Sequence, residues 1–329
     1  MKAIIPVAGA GTRLRPHTHT QPKVLLNVAG KPIIAHILDQ LVGTPIDHVV
    51  FIVGYLKELF EVWARDHYGD LHLDFVEQPE ILGLGHAVGL GLEKTDSEVM
   101  IILGDTIFEA NLNKVLESPY SSIGVREVLD PRRFGVVVEE EGFITDLVEK
   151  SANPPGNRAI VGLYYIKRGG LLKECIEGII QDNVTVKKEY QLTDALKRMI
   201  QKGEKMTTFG IEGWYDCGTS ETLLDSNRHL LERRPRREDD HEAFLHHNII
   251  QLPVYIAPTA RVRDSVIGPF CTIGEQAIIE GSVIQDSIIG DKARVKTALL
   301  NRSIVGREAS VEGMFKKLNL SDHSEITLA

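Results

Sequence analysis

Ala8-Gly9-Ala10-Gly11-Thr12-Arg13-Leu14-Arg15-Pro16, followed by Pro22-Lys23, is the stretch of this chain best suited to chemistry. A turn of small residues lets backbone approach a ligand closely and aim its amide groups at it. Arg13 and Lys23 add fixed positive charge beside that turn, a combination that suits a polyphosphate. Lys2-Ala3-Ile4-Ile5-Pro6-Val7, just before it, reads as a buried parallel strand, so the turn sits at a strand's carboxyl end.

Two commoner glycine loops are excluded. The Walker pattern needs Gly, four residues, then Gly-Lys-Ser/Thr, and no such string follows Gly9 or Gly11. The dinucleotide fingerprint needs a third glycine where Leu14 stands and an acidic residue about 20 positions on, where the chain reads Val28-Ala29-Gly30. Further along, Gln78 precedes Gly83-Leu84-Gly85 and offers a donor and an acceptor to a base edge. His86 reads as a satisfied histidine at a helix start. Val99 to Leu103 forms a clear strand, and Gly104-Asp105 at its carboxyl end puts a carboxylate where open α/β sheets take ligands. Taken alone, Asp105 is equally a helix N-cap.

The run from Gly9 to Pro16, with Pro22-Lys23, resembles the signature of the sugar-1-phosphate nucleotidyltransferases, which make nucleoside-diphosphate sugars. The resemblance implies a Rossmann-like α/β mixed sheet of the GT-A kind. It also implies roles. Arg13 and Lys23 would be catalytic, and Ala8, Gly9, Gly11, Thr12, Gln78 and Gly83 would seat the nucleotide. Gly135, Glu149, Lys150, Gly162 and Tyr164 match the positions that hold the sugar phosphate. Asp105, with Asp216 in Trp214-Tyr215-Asp216-Cys217-Gly218, matches the pair that binds Mg²⁺, a hard ion held by one or two carboxylates plus phosphates. Glu189 to Ala195 matches a further family segment, in which Thr193 reads as the cap of the following helix. Gln78 and the Gly83 turn look like the pyrimidine-using branches, so the implied partners are dTTP or UTP and glucose-1-phosphate. The alternatives are a mannose-1-phosphate guanylyltransferase and a silent nucleotide-sugar-binding subunit. Against the silent subunit stands the complete charged set Arg13, Lys23, Asp105, Lys150 and Asp216.

Elements must position these residues. Ile33, Ile34, Ile37, Leu38 and Leu41 recur at helical period behind Pro32, and Val49 to Val53 reads as a strand. Leu56 to His67 reads as a helix with Leu59, Phe60 and Trp63 inward. This alternation argues for an α/β layer with a parallel sheet. From about Ser122 the texture changes to strands and turns. Thr219 is placed to cap a helix carrying Leu223, Asn227, Leu230 and Leu231.

Beyond a charged linker around Pro235, the sequence matches itself at a shift of 16 positions. Ile273-Gly274, Ile289-Gly290 and Val305-Gly306 align, as do Ala277, Ala293 and Ala309, then Ile279, Val295 and Val311, then Val283, Leu299 and Phe315. A helical repeat needs longer units, so this predicts a β-solenoid of about four coils, resembling a short left-handed parallel β-helix. Ile256, Ala260 and Val262 make an imperfect first coil. The divisions expected are 1–232 catalytic, 233–245 linker and 246–329 β-helix with a tail. An acyltransferase site in the solenoid is disfavoured, because no histidine occurs between Asn248 and Asp322.

Composition bounds the rest. The chain has 329 residues, 43% hydrophobic and 25% charged, as in ordinary globular proteins of two domains. A net charge of −9 argues against nucleic acid or anionic membrane as partner. Cys175, Cys217 and Cys271 are odd in number and far apart, which fits a reducing cytoplasm and excludes a disulfide framework or zinc ribbon. An opening that runs straight into a strand predicts no signal peptide, and no apolar run reaches the ~20 residues of a membrane span. The short solenoid, with exposed edges and faces, predicts a homo-oligomer.

Overall fold

The computed structural model describes residues 1–234 and 247–313. They fall into two compact units: Met1–Leu26 with Lys31–Leu223, and Asn27–Gly30 with the chain from Leu224 onward.

The first unit is built on a nine-stranded sheet. Its opening strands are β1 (Lys2–Pro6), β2 (His48–Val53), β3 (His72–Glu77) and β4 (Val99–Ile102). All pair in parallel, with β1 between β2 and β4. Side chains alternate between two apolar layers: Ala3, Ile5, Val49, Phe51, Met100 and Ile102 face one, and Ile4, Val50, Ile52, Val99 and Ile101 face the other. Burial on both faces explains why β1, β2 and β4 read as continuous apolar runs, while β3, largely exposed, does not. Helices α1 (Ile33–Leu38) and α2 (Lys57–His67) cover the first layer. Helices α3 (Leu84–Gly91), α4 (Gly169–Gln181) and α5 (Leu192–Gln201) cover the second.

The sheet is mixed rather than purely parallel. Beyond β4 lie β5 (Ser121–Glu127), β6 (Gly135–Glu140), β7 (Phe143–Glu149), β8 (Arg158–Ile166) and β9 (Met206–Gly210). Strand β8 runs antiparallel to β4, β5 and β6, and β9 rejoins β5 in parallel. The sequence pattern of α2 was misleading at one position: Leu59 is 50% exposed, and the buried face is Phe60 with Ala64. Pro32 stands immediately before α1, at its N-cap.

In the second unit, three four-stranded parallel sheets form the sides of a left-handed β-helix of four coils. The 16-residue shift is the coil itself: Ile273 pairs with Ile289 and Ile289 with Val305, while Ile279 pairs with Val295 and Val295 with Val311. The first coil is offset by 17, with Ile256 on Ile273 and Val262 on Ile279, because the Gly268-Pro269-Phe270 bend holds one residue more than its successor. Corners turn on residues of positive φ, such as Gln276, Lys292 and Glu308, which recur at the same spacing. At the equivalent corners Asp264, Gly281 and Thr297, glycine removes the Cβ penalty only once.

One face departs from the sequence reading. Its interior residues are Ile267, Ile284 and the partly buried Leu300, whereas Val283 is only half-buried and Leu299 points outward, 69% exposed. Strands there carry two adjacent apolar residues, so the repeat alone could not fix which one faces in. The further equivalent Phe315 and most of the charged linker lie outside the described residues.

Helix α6 (Ser220–Arg233) is capped by Thr219, whose Oγ1 accepts from the Thr222 amide at 3.2 Å. Within the second unit its Asn227 is fully buried. Asn227 Oδ1 accepts from the Ala29 amide at 2.9 Å and the Thr272 hydroxyl at 2.6 Å, and Nδ2 donates to the Phe270 carbonyl at 3.1 Å. Asp286, also buried, is gripped by Arg228 and Arg302 at 3.0 and 3.1 Å. Replacing Asn227 by leucine keeps the volume but strands three polar groups. The substitution should cost at least about 2 kcal/mol, from ~1–3 kcal/mol per buried unsatisfied group. Urea unfolding of the full chain checks this, and an unchanged midpoint refutes it.

Candidate active site

Strand β1 is the point where the strand order reverses: the chain leaves it for β2 and β3 on one side, then returns to β4 on the other. Open α/β sheets bind ligands in the crevice at such a switch point, at the strands' carboxyl ends. Both the glycine turn after β1 and Asp105 after β4 stand there. Two close approaches hold the turn in place. A Cβ on Gly104 would lie 2.6 Å from Val7, and one on Gly54 would lie 2.9 Å from the Ala8 carbonyl. Ala8 is buried, while Gly9 is exposed with open space above it. Gly11 has φ +59° and packs against the Lys23 stem, where an added Cβ would meet Lys23 Cβ at 3.0 Å. Thr12 and Arg13 begin a short 3-10 turn and are exposed.

Lys23 Nζ donates to Asp105 Oδ2 at 2.7 Å. Asp105 and Asp216, 111 positions apart in sequence, are brought side by side by a two-stranded antiparallel ribbon. In it Thr106 pairs with Asp216, and the Cys217 amide donates to the Asp105 carbonyl at 3.2 Å. Partial burial, then the negative charge of Asp105, push the Asp216 carboxyl above its ordinary pKa; Lys23, the Gly218 amide and Arg13 pull it part of the way back. For Asp105, burial pushes up but is outweighed by the charge and hydrogen bond of Lys23, so its pKa is lowered. Arg13, Lys23, Asp105 and Asp216 thus form one electrostatic cluster. The donor set is two carboxylates with no sulfur or imidazole, and their mutual repulsion is only partly relieved by Lys23. Both features fit a hard divalent cation such as Mg²⁺.

A cavity of about 220 Å³ opens at the carboxyl end of β4, where Leu103, two residues before Asp105, forms part of its wall. Gly135, Glu149, Lys150, Gly162 and Tyr164, scattered over three strands in sequence, all line it. Gly162, at φ +88°, sits in a β-bulge of β8 and packs against Leu103, where an added Cβ would lie 2.5 Å from the leucine side chain. Gly135 leaves room for the Glu149 carboxylate, which an added Cβ would meet at 2.9 Å. Glu149 is mostly buried; it accepts from the Thr193 hydroxyl at 3.1 Å and faces Lys150 at 3.4 Å. Burial, then the Glu149 charge, raise the Tyr164 phenol above its ordinary pKa, so it stays a neutral hydrogen-bonding group.

Three findings were not legible in the sequence. Thr193 does not cap its helix; Gln191 precedes Leu192 without a side-chain cap, and Thr193 orients Glu149 instead. The cavity also contains Arg133, a second cation beside Lys150, for which Arg132-Arg133-Phe134-Gly135 was the only signal. And the glycines of the Gly83 turn serve the chain itself. The Gly85 amide donates to the Tyr190 carbonyl at 2.8 Å, and a Cβ at Gly83 would lie 2.7 Å from the same oxygen. This contact brings Glu189 and Gln191 to the cavity wall. Gln78 is buried, and its Nε2 lies 3.3 Å from the Gly83 carbonyl and 3.0 Å from His86 Nδ1. His86 is therefore a fixed partner of Gln78, and its pKa is lowered mainly by burial.

The family model described as nucleotidyl transferase matches residues 2–233. The bifunctional protein GlmU of Methanocaldococcus jannaschii is 38% identical over 71% of this chain, but the match spans only 55% of that protein. The glucose-1-phosphate thymidylyltransferase of Streptomyces antibioticus is 30% identical over 88% of this chain and 87% of its own length. A crystal structure of UDP-glucose pyrophosphorylase with UDP-glucose superposes with a TM-score of 0.60 at 24% identity, over 71% of this chain and 99% of that one, and shares its fold. Family match, sheet topology and the charged cluster agree: this chain belongs to the nucleotidyl transferase family.

Proposed function

We propose that the chain joins a nucleoside triphosphate to a sugar 1-phosphate, giving a nucleoside-diphosphate sugar and pyrophosphate. The observation that carries the reading is the convergence of Arg13, Lys23, Asp105 and Asp216 at the switch point, beside a cavity lined by Glu149, Lys150 and Arg133. A phosphate oxygen of the sugar phosphate attacks the α-phosphorus in line. One P–O bond forms as the bond to the β-phosphate oxygen breaks, and pyrophosphate departs. No side-chain nucleophile is required, so positioning and charge supply the rate. Lys150 and Arg133 hold the sugar phosphate, and Glu149, oriented by Thr193, accepts from sugar hydroxyls. Lys23 has three donors and reaches the phosphates while keeping its bond to Asp105. Arg13 meets the charge that builds on the leaving group. Mg²⁺ held by Asp105 and Asp216 would neutralise part of the triphosphate charge. Ala8, Gly9, Gly11 and Thr12 supply backbone and hydroxyl contacts to the nucleotide, with Gln78 and Gly83 at its base.

The pair dTTP (or UTP) and glucose-1-phosphate is the favoured substrate set, supported by the thymidylyltransferase relative that spans both units of the chain. Three buried cysteines held in no disulfide support a reducing cytoplasmic setting, and among the described residues no helix is long and apolar enough to cross a membrane. A homo-oligomer belongs to the same proposal, supported by Ile249 and Leu299, which stand outward on one solenoid face at 60% and 69% exposure.

Screening triphosphates against sugar 1-phosphates for pyrophosphate release tests the reading, and silence with every pair refutes it. Lys23→Ala and Arg13→Ala should each lower kcat by about 10²–10³, the scale of one lost charge partner in a transition state. Wild-type turnover in both removes them from the mechanism. Activity should vanish in excess EDTA and return with Mg²⁺; full turnover under chelation rules out the metal role of Asp105 and Asp216. Light scattering should show more than one chain per particle, falling with Leu299→Glu, and a monomeric wild type ends the oligomer proposal.

A further inference from the structure

A second polar cluster lies at the other end of the sheet from the site above. His48 opens β2 and His72 opens β3, and the parallel register sets them directly across from each other. Their imidazoles stack with centroids 4.2 Å apart and planes 13° from parallel. Asp74, two residues after His72 and so on the same face of the strand, turns one oxygen to each ring. Its Oδ2 lies 2.8 Å from His48 Nε2 and its Oδ1 lies 3.8 Å from His72 Nε2. One ligand atom from each of the three residues lies within 4.8 Å of the others.

We propose that His48, His72 and Asp74 bind a divalent cation of the zinc, cobalt or nickel class and clip β3 to β2. Two imidazoles and one carboxylate are the donors such ions prefer, whereas Mg²⁺ prefers oxygen alone. Bonds of about 2.0–2.2 Å require the donors to close in a little further. His72 and Asp74, 69% and 52% exposed at their side chains, have room to do so, while His48, at 28%, is held by its partners. The three ligands come from adjacent strands in fixed register, so little chain entropy is lost on closing the site. Strand β3 is the sheet's edge, the strand that gains most from a tie. Water fills the remaining coordination positions on this exposed face. The inference does not depend on nucleotidyl transfer, because six residues of β2, roughly 20 Å, separate the cluster from the crevice.

Calorimetric titration of tag-free, full-length protein with Zn²⁺, in the presence of millimolar Mg²⁺, tests the proposal. One equivalent should bind at about micromolar Kd, and saturation should raise the melting temperature by several degrees. His72→Ala and Asp74→Ala should each weaken binding at least about tenfold, and the exposure of both residues keeps these variants folded. Asp105→Asn should leave zinc binding unchanged, which separates this site from the catalytic carboxylates. Co²⁺ should give the visible absorption of a histidine-bound ion in the wild type and lose it in the His48→Ala, His72→Ala double variant. Absence of binding at 100 times that concentration overturns the proposal, as does binding indifferent to the double variant.

Discussion

Two like charges held side by side are the constraint around which the first unit is arranged. Asp105 lies in the turn between a buried parallel strand and the ribbon, Asp216 ends the other ribbon strand, and the ribbon's register sets the two residues side by side. Apart from Arg13 and the Gly218 amide, the compensation is Lys23, whose stem is trapped against Gly11. The glycine turn therefore does two jobs: it opens space above Gly9, and it fixes the cation that makes the carboxylate pair tolerable. In the proposed reaction, a cation at the carboxylates and phosphates at Arg13 and Lys23 would complete the same charge balance from outside. On that reading the site is preorganised by electrostatics that substrate would complete.

The cavity beside it follows a different logic, steric rather than electrostatic. Gly135 and Gly162 remove side chains where Glu149 and Leu103 must come close, and the bulge at Gly162 re-aims β8 so that Tyr164 faces inward. Glu149 is then locked by Thr193, a residue 44 positions away. The Gly83 turn and the Glu189–Gln191 segment lean on each other in the same manner, backbone to backbone. Loops at the crevice are thus braced by one another and by the sheet, which is what a reaction driven by positioning demands.

The second unit solves the problem of a thin solenoid with polar anchors. A four-coil β-helix encloses little apolar volume, mostly single ladders of Ile, Val and Ala. Asn227 offsets this by satisfying three partners from a fully buried position, and Asp286 does so through two arginines. Such groups add less net energy than uniqueness of seating, because any shifted arrangement leaves them unpaired.

Much of this was readable from order and type alone. Apolar runs buried on both faces identified β1, β2 and β4, the 16-residue shift matched the coil-to-coil pairing of Ile273, Ile289 and Val305, and the run around Gly9 pointed to the family. These are local or periodic signals, and the chain obeys them because backbone hydrogen bonding and burial act at short range. Tertiary structure decided whatever depended on a neighbour distant in sequence. It turned Thr193 from a cap into a brace for Glu149, and Leu59 and Leu299 outward where their apolar character predicted burial. It added Arg133 to the cavity, and gave the glycines of the Gly83 turn to the chain's own backbone. It also set His48 against His72, a pairing fixed by the register of two strands that no spacing between residues 48 and 72 encodes. Sequence lists which groups are available; only the packing of one surface on another decides which of them meet.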